Sequence, residues 1–76
     1  MDEVEKGLVI ESITDNLNDD KWHYAKSLLR DVDLPGTNES VQKYILPLID
    51  MFDLEKEGKV GKRLRIRKPQ RNKIYQ

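Results

Sequence analysis

"LEKEGKVGKRLRIRKPQRNKIYQ", residues 54–76, is where the hydrophobic period of the chain changes. Up to Gly58 the apolar residues recur at helical intervals, and beyond it they alternate. Val60, Lys62, Leu64, Ile66 and Lys68 fall on one side, with Gly61, Arg63, Arg65 and Arg67 on the other, which is the pattern of a strand with one apolar face. "KPQRN" then supplies a turn, and "KIYQ" can return as a short partner strand. Leu64, Ile66 and Ile74 would anchor such a hairpin to a core. Its arginines would stand outward at intervals of about 6.6 Å.

Working back from that hairpin, Val41, Tyr44, Ile45, Leu48, Ile49 and Phe52 lie at offsets of one helix face, the strongest periodicity in the chain. This predicts a helix over about 38–57, opened at Thr37 or Asn38 and closed by Gly58 as a left-handed cap, with Phe52 at its buried centre. Pro47 falls inside it, so either the helix kinks or Pro47 takes the first turn of a new helix, where its missing N–H is not needed. Upstream, Pro35 and Gly36 end a second helix over about 20–32, whose inner face is Trp22, Ala25, Leu28, Leu29 and Val32. A first helix over about 3–17 carries the stripe Val9, Ile13 and Leu17. The expected fold is one mainly α domain with a C-terminal β-hairpin over about 59–76: α+β, with three helices or, if Pro47 divides the third, four.

The 76 residues carry 14 basic and 14 acidic side chains, yet residues 59–76 hold eight of the basic ones and no acid. That segment stands at +8 and the remainder at −8. Charge asymmetry of this kind points to a polyanion contact, nucleic acid first. The plainer reading is that the basic run neutralises the acidic body beside it. With no cysteine there is no disulfide framework or thiolate metal site, and with a single histidine, His23, no nucleophile–base pair can be picked out by spacing. "DNLNDDKWHYAK" lacks the glycine and the terminal glutamate of a calcium loop. Neither catalysis nor a cofactor is expected. The short apolar stretches predict neither a signal peptide nor a membrane span, so a cytoplasmic location is expected, nucleoid-associated if the host is bacterial or archaeal.

Helix, helix, turn, helix and basic hairpin is also the order of a known family. "LEKEGKVGKRLRIRKPQRNKIYQ" resembles the end of winged helix-turn-helix domains, in which a recognition helix closes in a Leu-Glu-x-x-Gly-x-Val pattern and runs into a two-stranded wing. "YAKSLL", residues 24–29, resembles the middle of their second helix. The resemblance covers about residues 8–76 and implies binding of duplex DNA in transcription or replication control. The wing would supply Arg63, Arg65, Arg67, Lys68, Arg71 and Lys73, and the start of the third helix Asn38, Gln42 and Lys43. The chain departs from the pattern in the long link "RDVDLPGTNES" and in the acids Asp50, Asp53 and Glu57 on the outer face of the third helix, which would repel phosphate. Those acids support the alternative of a protein-interaction adaptor on the same scaffold. RNA in place of DNA, and a homodimer, are further alternatives.

Overall fold

A computed structural model of the chain describes residues 3–70. In order, the elements are α1 (Glu3–Asn16), β1 (His23–Tyr24), α2 (Ala25–Asp31), α3 (Asn38–Ser40), a π-helical turn (Val41–Ile45), α4 (Leu46–Phe52), β2 (Glu55–Lys59) and β3 (Lys62–Arg67). The strands form one antiparallel sheet in the order β1-β3-β2, so β3 is central. The class is α+β, as the change of period implies.

Burial follows the apolar stripes. Ile13 from α1, Leu17 from the turn just after it, Ala25, Leu28 and Leu29 from α2, and Val41, Tyr44, Ile45 and Leu48 from the third helical run close on Leu54, Leu64 and Ile66 beneath the sheet. Alternation along β3 places Leu64 and Ile66 in this core and leaves Arg65 and Arg67 half-buried on the other face. The third run opens where its sequence calls for it: Thr37 is extended, and its Oγ1 accepts from the Ser40 amide at 3.2 Å.

Pro47 lies in the first turn of α4. It has no N–H to give the Lys43 carbonyl. Just ahead of it the helix widens into the π turn, where the Leu46 amide reaches back to the Val41 carbonyl. The two sequence alternatives for Pro47 thus resolve into α, π and α segments running on from one another.

The helix predicted over 38–57 ends early. Asp53 takes a left-handed conformation (φ 53, ψ 45), and the Leu54 amide returns to the Ile49 carbonyl at 3.0 Å. Asp33 does the same after α2 (φ 62), with the Leu34 amide bonded to the Leu29 carbonyl at 2.9 Å. Both are Schellman-type stops, pinned by a leucine one residue on, with aspartate where glycine is usual. Aspartate tolerates this region better than most residues, which is why neither stop stands out in the sequence.

Ending the helix at Phe52 frees the next residues for the sheet. Residues 55–59 become the partner strand of the hairpin, and the turn is Val60–Gly61 rather than "KPQRN". Gly58 does have positive φ (82), but it sits at a bulge in β2, where the register shifts between Glu57 and Lys59. The expected "KIYQ" strand lies outside the described residues. Phe52, predicted at the centre of the core, is 44% exposed, because the last turn of α4 carries it past the packed face. The second helix also starts late, at Ala25 instead of 20. His23 and Tyr24 pair with Ile66 and Arg65 as β1, and Trp22 is drawn from the expected helix face to the edge of the sheet.

Candidate nucleic-acid interface

The outer face of the sheet binds its own arginines. Arg65 stands opposite Glu57, and Arg67 opposite Glu55. Arg65 Nε donates to Glu57 Oε1 at 2.7 Å, its Nη2 donates to the same oxygen, and Arg67 Nε donates to Glu55 Oε1 at 2.6 Å. On the β1 side both guanidiniums lie over the Trp22 ring, 4.9 Å and 4.5 Å from its centroid. Each of these arginines is therefore held between a carboxylate and an aromatic face. Glu57, expected beside Asp50 and Asp53 on a helix, belongs to β2. Lys68 is also engaged, its Nζ donating to Asn18 Oδ1 in the loop after α1.

The cations at the tip of the hairpin are placed differently. β2 and β3 meet so that Lys59 faces both Lys62 and Arg63 at the tip of the hairpin. None of the three has a carboxylate partner among the described residues. Like charges set opposite one another destabilise a hairpin. Arg63 also holds φ 58, a left-handed conformation that costs a residue with a side chain roughly 1–2 kcal/mol. The tip is a concentration of positive charge that no carboxylate among the described residues neutralises.

The tip lies beside the start of the third helical run. A Cβ built on Gly61 would stand 3.4 Å from Asn38 Nδ2. Asn38, Gln42 and Lys43 are all exposed, and Lys43 Nζ sits 5.5 Å from the centre of the Tyr44 ring. Of the residues expected from the sequence, the fold thus sets Asn38 beside the turn that displays Arg63, and it ties Arg65, Arg67 and Lys68 to internal partners. Arg71 and Lys73 lie outside the described residues. Asp50 and Asp53 are exposed around the end of α4, next to exposed Met51 and Phe52.

Lys26 and Arg30 are not among the residues expected from the sequence. They line a groove of about 390 Å³ between α2 and the hairpin turn, together with Arg63. Their i, i+4 spacing, which places two residues on one helix face, is the available signal. Gly36 leaves room for Arg30, since a Cβ there would stand 2.8 Å from its Nε.

Among the described residues Asp19 and Glu55 titrate below the ordinary carboxylate range, and both serve the sheet side of the molecule. Asp19 is held down by the hydrogen bond from His23 Nε2 at 2.8 Å and then by the Lys21 amide at 2.9 Å. Glu55 is held down by Arg67 and then by the Gln70 amide at 3.2 Å. A carboxylate whose folded pKa is depressed stabilises the fold above its unfolded pKa, and that contribution is lost as pH falls through the folded value. Wild type should therefore lose its stability advantage over Asp19→Asn/Glu55→Gln when urea midpoints at roughly pH 6 are compared with those at roughly pH 2, below the usual carboxylate range near 4. An advantage unchanged by acid would contradict these pairings.

Among the described residues no helix is long and apolar enough to cross a membrane, and no group of histidine and acids could hold a metal ion. Compared with protein-family models, with curated proteins and with solved structures, the chain matches none.

Proposed function

We propose that the chain is a winged-helix nucleic-acid-binding protein that holds duplex DNA through the tip of its hairpin and the adjoining start of the third helical run. The observation that carries this reading is the strand register that sets Lys59 against Lys62 and Arg63, with no carboxylate among the described residues paired to any of the three. Phosphates supply the missing counter-charge and relieve the repulsion. Asn38 and Gln42 are suited to hydrogen bonds with base edges, and Lys43 to a phosphate. The order of two helices, a link, a third helix and a two-stranded hairpin also supports the winged-helix reading, with β2 and β3 as the wing.

The test is a titration of fluorescein-labelled mixed-sequence duplex at two salt concentrations. If the three tip cations meet phosphates, log affinity should fall against log salt with a slope of about −2.7 or steeper, at about −0.9 per phosphate. No measurable binding at low salt would overturn the proposal.

A second reading has its own observation. Met51 and Phe52 are 59% and 44% exposed, beside Asp50 and Asp53. An apolar patch edged by acids suits a basic protein partner better than DNA. Neutralising Asp50 and Asp53 to asparagine should leave duplex affinity equal or higher, because like charges near phosphate are removed. A several-fold loss of affinity would instead mean that these carboxylates touch bases.

A further inference from the structure

The groove between α2 and the hairpin turn is a concavity with cations on its rim and apolar side chains on its floor. Ala25, Val41 and Leu64, all buried, form the floor, while Lys26, Arg30 and Arg63 stand around it. Among the described residues no carboxylate lines it, and none of the three cations has a carboxylate partner. At about 390 Å³ it exceeds what a phosphate group alone would fill. Three unneutralised cations above an apolar floor match a ligand with one anionic end and one flat, weakly polar end.

We infer that this groove takes one nucleotide unit of a nucleic-acid strand. Lys26, Arg30 and Arg63 hold its phosphodiester, and the sugar or base lies against the floor. The inference rests on the proposed nucleic-acid function and deepens it by naming a second contact on α2. Arg63 is common to both surfaces, since it stands at the hairpin tip and also lines the groove.

The experiment uses the full chain and two sets of variants. Lys26→Gln/Arg30→Gln should bind the labelled duplex about tenfold more weakly at low salt, with the salt slope reduced by about one to two units, while its thermal unfolding stays close to wild type. Lys26→Gln alone repeats the test without touching the Arg30–Gly36 contact. If both variants keep wild-type affinity and slope while Lys59→Ala/Lys62→Ala loses them, the groove inference is overturned and the proposed function stands. In parallel, amide spectra of the wild-type protein are recorded with adenosine 5′-monophosphate and with inorganic phosphate. Shifts at Ser27, Val60 and Gly61 that are larger with the nucleotide, and absent in Lys26→Gln/Arg30→Gln, support a nucleotide site. Equal shifts with both probes overturn the nucleotide assignment. If the wild-type protein binds no duplex, the proposed function fails, and absence of nucleotide shifts then overturns the groove as well.

Discussion

Ile66→Ala is expected to destabilise the protein by about 2–5 kcal/mol, the usual cost of emptying a fully buried isoleucine. Ile66 is 0% exposed and lies on the central strand, paired with His23 on one side and Lys56 on the other. Its side chain is where the sheet meets the helices. A domain of this size has a total stability of only about 5–15 kcal/mol, and about 4–8 °C of melting temperature is lost per kcal/mol. Thermal unfolding of the variant should thus begin roughly 10 °C or more below wild type. Phe52→Ala, which removes a larger ring from a half-exposed position, should cost much less, on the order of 1 kcal/mol. If Phe52→Ala proved the more damaging of the two, α4 would have to face the other way.

The second large effect belongs to Gly58. A Cβ there would stand 2.8 Å from the Arg63 carbonyl oxygen and 2.9 Å from that of Lys62, and the residue holds φ 82. These are backbone atoms of the same hairpin and cannot swing aside. Gly58→Ala must bear the left-handed cost of roughly 1–2 kcal/mol and also part the strands. A total of about 2–4 kcal/mol is expected, with faster amide exchange along β2 and β3 as the local signature. Gly61→Ala is the control: its φ is 83, but the nearest atom to its Cβ is the end of the Asn38 side chain at 3.4 Å. It should bear the backbone cost alone. Equal losses from the two variants would contradict the bulge geometry.

How much of this is legible in the sequence varies from element to element. The α1 stripe, the Thr37 cap, the Ala25, Leu28 and Leu29 face of α2 and the alternation of β3 are readable, because each is written in local periodicity or capping chemistry, whereas Trp22, expected on that same face, is not. The end of the third helical run is not. Asp53 and Asp33 stop helices in a conformation usually signalled by glycine, and Gly58 lies downstream as a more conspicuous stop. "EKEGK" has little intrinsic preference for a strand and becomes one only by pairing with β3.

Placing Glu55 and Glu57 on a helix hides their pairing with Arg67 and Arg65. Yet a signal is present: about Gly61, Glu57 mirrors Arg65 and Glu55 mirrors Arg67, which is the spacing of cross-strand partners in a hairpin. Without that pairing the arginine ladder looks free, and Trp22 looks like core. In the fold, Arg65 and Arg67 neutralise Glu57 and Glu55 within the hairpin itself, while Lys59, Lys62 and Arg63 have no carboxylate partner among the described residues.

That division of the basic residues is tested most directly by one comparison: duplex affinity of Lys59→Ala/Lys62→Ala/Arg63→Ala against Arg65→Ala/Arg67→Ala, each by fluorescence titration at two salt concentrations. The tip variant should lose about a hundredfold in affinity at low salt, and its salt slope should be shallower by about three units. The Arg65/Arg67 variant, whose cations are already matched by Glu57 and Glu55, should lose several-fold at most. A tip variant that keeps wild-type affinity and slope, with the Arg65/Arg67 variant losing both, would contradict the account.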